Sequence, residues 1–342
     1  MNILFYDVMS PTLFTDQSLQ EGALRGTEGT IVRVAHQLAK THQVFVASHH
    51  RQASADVVSS DVHYISLATA HQLQPDVVIL LRDYRLLSFI TECYPHAKRF
   101  YWLHNLPPKH FYHIKSDLIK GEYQLIAVSN FHRSTLIKRL KGRWYQRLFH
   151  WDWKSLNIPI HVIYNPLDDS WHPNNTPFRP HQLIFTSAST KGLDEILYLF
   201  QHVRRYNPEY ELLIVCPNKH QLKHVPSHVS ILPPQPQHQL LQYIRESFCV
   251  FYPQAKRKET FGFVYAQANA AGTPVLAHDF GAAREVLSDE CQLVNGNDIL
   301  AIVEKLKAWQ LNRPKVQAKP EFRLQAVMRR WSEVLSTTHH RT

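Results

Sequence analysis

A chain of 342 residues, 44% apolar and 19% charged, is long enough for about two domains and too apolar to be disordered. Its longest apolar runs, among them Val77–Leu81 and Phe248–Tyr252, are five residues against the ~20 a membrane-spanning helix needs, and Met1–Val8 enters a strand-like run with no cationic or apolar leader. Net charge is +10, and the four cysteines (Cys93, Cys216, Cys249, Cys291) form no C-x-x-C pair, which argues against a disulfide framework or a cysteine zinc site and for a reducing cytosol.

In chain order, short apolar runs predict strands at Asn2–Val8, Gln43–Ser48, Asp76–Leu81, Arg99–Leu103, Gln124–Ser129 and Ile160–Tyr164. Helical patterns separate them, clearest in Gly29–Lys40, where Ile31, Val32, Ala35, Leu38 and Ala39 make one apolar stripe. This alternation implies a parallel sheet covered on both faces. Asn165-Pro166 and the Pro173–Pro180 stretch then break the pattern. A second series follows, with strands at Gln182–Ser187, Glu211–Cys216, Val229–Leu232, Phe248–Tyr252 and Pro274–Ala277. Its helices are Gly192–Tyr206, Gln237–Glu246, Gly262–Ala271, Ala282–Leu287, Asp298–Trp309 and Glu321–Leu335. The expected organisation is a Rossmann-like domain over 1–165, a linker over 166–181, a second such domain over 182–318, and a helix and tail over 319–342. Ligands of such sheets bind beyond the carboxyl ends of the strands, so two facing units would make an interdomain cleft.

Charge is unevenly placed. Residues 98–154 carry twelve Lys/Arg against Asp117, Glu122 and Asp152, a block that suits an anionic partner. Within it, residues 138–154 alternate six cations with three Trp, a Tyr and a Phe, a mixture fitted to an anionic membrane surface. No recognition-helix or zinc-finger signature accompanies the block, so a nucleic-acid partner is not expected. His220, His224 and His228 have metal-ligand spacing, but Pro226 interrupts the helix that would align them, and no metal site is expected.

The most informative stretch is Pro253–Ala277, which reads strand, loop, helix, turn, strand. Glu259 sits at the mouth of the loop, and Phe261, Gly262 and Phe263 open a helix whose free N–H groups favour an anion. Gln267 follows one to two turns later, where its amide can reach a hydroxyl.

This segment, Glu259-Thr260-Phe261-Gly262 through Ala271-Gly272-Thr273-Pro274-Val275, resembles the E-x7-E region of retaining glycosyltransferases of family 4 (glycosyl transferase group 1). Asp279-Phe280-Gly281 with Arg284-Glu285-Val286, Tyr164-Asn165-Pro166-Leu167-Asp168, Lys191-Gly192, Gly26-Thr27-Glu28, His104-Asn105 and Ser129 are similar to further family motifs, in family order. The resemblance implies the α/β GT-B fold: two Rossmann-like domains with parallel sheets facing an interdomain cleft, and a C-terminal helix crossing back to the first. It implies transfer of a hexose or related sugar from a UDP- or GDP-sugar to a glycan or lipid-linked acceptor, with no cofactor and no metal. Bacterial cell-envelope, capsule or lipopolysaccharide synthesis is the implied setting, on the cytoplasmic side and peripheral to the inner face of the plasma membrane.

Carried onto this chain, the family pattern gives Glu259 the donor sugar, Lys191 the leaving diphosphate and His104 the orientation of sugar or acceptor. Phe261, Gly262 and Phe263 offer N–H groups, Gln267 takes the ribose, and Gly26 and Glu28 line the acceptor side. Two positions depart from the pattern. Gln267 replaces a glutamate, and Thr186 stands where an arginine is expected five residues before Lys191, which leaves Arg257, Arg284 or Lys256 to supply the second cation. The same departures keep open an alternative, a weak or inactive GT-B protein that binds sugar nucleotides or serves as a partner subunit.

Overall fold

Each alternating series closes into its own sheet. The computed structural model describes residues 1–21, 24, 26–142, 158–215 and 225–337. The chain divides into one unit of Met1–Gln17, Arg25–Pro166 and Val327–Thr342, and a second of Ser18–Leu24 and Leu167–Ala326.

The first unit holds β1 (Asn2–Asp7), β2 (Gln43–Ser48), β3 (Val57–Ser59), β4 (Val62–Ser66), β5 (Val77–Leu81), β6 (Lys98–Trp102), β7 (Gln124–Ala127) and β8 (Ile160–Val162). They lie in the order β3-β4-β2-β1-β5-β6-β7-β8, parallel throughout except for the β3–β4 pair. The winding reverses between β1 and β5, where sheets of this class bind ligands. β5 is buried on both faces, the reason its sequence is uninterrupted Val, Ile and Leu. The β3–β4 hairpin was not expected. Its turn residues Ser60 and Asp61 both take positive φ, 48° and 64°, without the Asn-Gly pair that normally announces such a turn.

The long helix that precedes β2, α1 (Gly26–Ala39), starts three residues before its predicted boundary, and its first turn is bridged by Thr30 Oγ1 donating to Gly26 O at 2.7 Å. The last helix, α2 (Leu324–Ser336), returns to the first unit, as the GT-B expectation required. Val327, Trp331, Val334 and Leu335 form its buried stripe. Trp331 is fully buried, edge-on to Trp102 at 4.9 Å and to Phe5 at 6.4 Å. Lys98 Nζ donates to the carbonyls of Val334 (2.9 Å), Leu335 (3.2 Å) and Thr337 (2.8 Å), placing a cation on the negative end of the helix.

The second unit holds β9 (Arg179–Phe185), β10 (Glu211–Val215), β11 (Val229–Leu232), β12 (Ser247–Tyr252), β13 (Val275–His278) and β14 (Leu293–Val294). The order β11-β10-β9-β12-β13-β14 is wholly parallel, and the winding reverses between β9 and β12. The stretch read as a linker is tied into this unit. Arg323 donates to Trp171 O at 2.6 Å, Leu167 N to Phe322 O at 2.8 Å and Leu324 N to Asp169 Oδ1 at 3.0 Å. β9 already begins at Arg179, so Pro180 lies inside a strand.

Candidate functional site

Two loops flank the reversal in the second sheet, and the expected site residues lie on them. The loop after β9 runs through Thr186 and Lys191 into a helix at Leu193–Tyr206, and the loop after β12 runs from Pro253 to Gly262. A buried Gln254 moulds the second loop. Its Oε1 accepts the N–H groups of Lys256 (3.1 Å) and Arg257 (2.8 Å), and its Nε2 donates to Arg257 O at 2.7 Å. Glu195 Oε1 fixes Ala255 N from the neighbouring helix at 3.0 Å. Satisfied in this way, the loop presents Lys256, Arg257 and Lys258 outward as exposed residues.

Glu259 follows, 8% exposed, with both carboxylate oxygens engaged. Lys191 Nζ donates to Oε2 at 2.9 Å and Tyr252 OH to Oε1 at 2.8 Å. Burial, and then the charge of Glu259, raises the pKa of both Tyr252 and Tyr265 well above the usual phenol, so both hydroxyls keep their protons. The backbone of Glu259 is gripped as well. Ala282 N donates to its carbonyl at 3.1 Å, and a Cβ on Gly281 (φ 62°) would sit 2.9 Å from that same oxygen, so only glycine fits the turn. Gly262 (φ 82°) opens the helix Phe263–Ala270, and a side chain there would strike the Tyr265 ring. Phe261 is buried against Phe322 at 5.2 Å, and half-buried Phe263 packs on Trp171 at 6.1 Å.

Gln267 is 3% exposed, so it is no surface amide, and its Nε2 has no hydrogen-bond partner among the described residues. Thr186 Oγ1 and Tyr265 OH are buried and unpartnered in the same sense. An orphaned buried donor costs about 1–3 kcal/mol, which a ligand hydroxyl would recover. Gln267→Glu is therefore expected to lower the melting temperature of the free protein and to tighten a sugar-nucleotide donor roughly fivefold, the gain from charge assistance. Thermal shift and calorimetry on the same variant check both signs, and weaker donor binding would place the ribose elsewhere.

Of the cations expected to share the diphosphate, Arg284 is committed to Asp279 and Glu290 at the surface. That pairing leaves Lys191 and the 256–258 loop. No group of three or more His, Cys, Asp or Glu is placed to hold a metal ion among the described residues, and His220 and His224 lie outside them.

In the first unit, His104 follows β6, buried against Trp102 at 4.6 Å. Burial, reinforced by the charge of Arg82, holds its pKa well below the ordinary imidazole, so it is neutral. Gly26 is exposed at the start of α1, and Glu28 is buried one half-turn later. Glu28 belongs to a cluster absent from the sequence reading. Arg82, directly after β5, donates Nη1 to Glu28 Oε1 at 2.8 Å and Nε to Asp7 Oδ1 at 3.2 Å, with Nη2 on Asp7 Oδ2. Burial opposes the charge of Arg82, and Asp7 and Glu28 more than offset it, raising its pKa. Asp7 ends β1 and Arg82 follows β5, so the pair straddles the reversal of the first sheet. A charged residue directly after a buried strand was the available signal. Tyr252, as the last residue of an apolar strand, gave none.

Residues 184–321, which include the second unit's site loops, match the family described as glycosyl transferases group 1. A D-inositol 3-phosphate glycosyltransferase of Nocardia farcinica is 35% identical over 91 residues, 26% of this chain and 20% of that protein. One of Frankia alni is 39% identical over 72 residues, 20% of this chain and 17% of that protein. The chain thus spans about a fifth of the length of the curated relatives it matches. Among solved structures it is similar to Anabaena HepE, crystallised with UDP and glucose, at TM-score 0.67 and 16% identity over 99% of this chain and 100% of that one. A glycosyltransferase from Rickettsia africae gives TM-score 0.64 at 15% identity over 98% and 99%. At these identities the likeness establishes the fold, two α/β domains of the GT-B type.

Proposed function

We propose that the protein is a retaining glycosyltransferase of family 4, moving a hexose or related sugar from a UDP- or GDP-sugar to a glycan or lipid-linked acceptor. The observation that carries this reading is the meeting of Lys191, Glu259 and Tyr252 at the reversal of the second sheet. The group 1 match over 184–321 and the likeness to a protein crystallised with UDP and glucose support it.

Donor binding then exchanges partners. Lys191 turns from Glu259 Oε2 to the diphosphate, a sugar hydroxyl takes its place on Oε2, and Tyr252 keeps Oε1. Phe261, Gly262 and Phe263 lend N–H groups, Arg257 adds the second cation, and Gln267 takes the ribose. Neutral His104 orients the sugar or acceptor. The acceleration comes from positioning and from neutralising the departing diphosphate, with no side-chain nucleophile and no metal required. Gly26 and Glu28 serve the acceptor. In this reading the protein works in cell-envelope, capsule or lipopolysaccharide synthesis, cytoplasmic and peripheral to an anionic membrane through residues 138–154. Positions 143–154 of that surface lie outside the described residues, and no described helix is long and apolar enough to cross a membrane.

Lys191→Ala tests the clamp. It is expected to weaken UDP or GDP tenfold or more, on the order of 1.4 kcal/mol, while the free nucleosides change less than about twofold in calorimetry. Equal losses would make Lys191 structural. Thr186 and the uncharged Gln267 favour the second reading, a binding or partner subunit, and nucleotide binding without turnover of any UDP- or GDP-sugar would select it.

A further inference from the structure

The carboxylate–guanidinium–carboxylate cluster of the first unit holds a buried oxygen with no hydrogen-bond partner among the described residues. Arg82 gives three of its five N–H groups to carboxylates, from Nε and Nη2 to Asp7 and from Nη1 to Glu28. Asp7 also accepts Met9 N at 3.0 Å. Glu28 uses only Oε1. Its side chain is 2% exposed, and Oε2 has no partner among the described residues. Leaving a carboxylate oxygen buried and unmatched is costly, and such an atom calls for a donor from elsewhere.

The sign of the cluster narrows what that donor can be. One guanidinium stands against two carboxylates, so the cluster carries a net negative charge. A phosphate brought to Glu28 would meet this charge, and the two N–H groups left on Arg82 belong to a guanidinium already outweighed by two carboxylates. A hydroxyl is not repelled by that charge. It donates to Oε2, and the neutral His104 beside the cluster adds no charge that would attract an anion.

We infer that Glu28 Oε2 is the hydrogen-bond acceptor for a hydroxyl of an uncharged sugar or polyol, held in place by Arg82 and Asp7 as positioning residues, and that this cluster selects against acceptors phosphorylated near the bound hydroxyl. The inference rests on the glycosyltransferase reading and deepens its acceptor side.

Saturation-transfer NMR on the full chain, with glucose against glucose 6-phosphate and myo-inositol against D-inositol 3-phosphate, is the test. The neutral member of each pair is expected to bind about tenfold tighter. Glu28→Gln, nearly isosteric, should shrink that preference to within about twofold. Arg82→Lys, which keeps the charge and loses the fork, should weaken the neutral members while leaving UDP or GDP affinity unchanged. Tighter binding of the phosphorylated members, an unaltered ratio in Glu28→Gln, or no polyol binding at all would overturn the assignment. Failure of the wild type to bind UDP or GDP in the same samples would overturn the glycosyltransferase reading itself, and the acceptor assignment with it.

Discussion

Replacing Glu259 with Gln is expected to lower kcat about 10²-fold or more while nucleotide binding persists. The variant keeps the size of the side chain, and its amide oxygen can still accept from Tyr252. What it loses is the charge that binds Lys191 at 2.9 Å and that would hold sugar hydroxyls in the transition state. The released ammonium is then free for the diphosphate, so UDP or GDP should bind as tightly as to the wild type or more tightly. Initial rates with a sugar nucleotide and calorimetry with the nucleotide alone separate the two effects. Near wild-type transfer by a folded variant would remove Glu259 from the site.

Trp331→Ala is the largest expected loss of stability. Trp331 is fully buried between Trp102 and Phe5, so truncation deletes an indole from a closed core. Such a change costs about 3–5 kcal/mol, transfer and cavity together. The loss should fall on the first unit, since α2 packs there. Urea titration followed by tryptophan fluorescence reads it, with allowance for the missing fluorophore. A change below about 1 kcal/mol would mean that the helix contributes little to that core.

Where burial repeats with a simple period, the residues announce the element. Gln43–Ser48 and Val229–Leu232 lie where their apolar runs predict, and most other strands and helices agree within a few residues. The β3–β4 hairpin was hidden because Ser60 and Asp61 adopt a turn that other residue types signal. The site divides in the same way. Lys191 and Glu259 were legible from their motifs, and the fold brings them into contact. Asp7 and Arg82 lie 75 positions apart and have no motif in common, so only strand order shows that they meet. Arg284 was a reasonable candidate cation on sequence, but the carboxylates of Asp279 and Glu290 were not visible as its partners. Gln267 was readable as an amide placed for a hydroxyl, but its burial was not, because that comes from the enclosure of its helix from Val264 to Ala270.

The return of α2 to the first unit also bears on the order in which the protein is made. During translation the strands of the first sheet leave the ribosome early, yet the surface that receives Trp331 stays bare until residues beyond 327 emerge. About 160 residues of the second unit are synthesised in between, roughly 8–30 s at bacterial-to-eukaryotic elongation rates. The nascent first unit must therefore wait, with Trp102 and Phe5 incompletely covered, while the later-made second unit acquires all its strands. Folding completes in the reverse of the order of synthesis, and the interval is when a chaperone or an aggregating neighbour would find this chain.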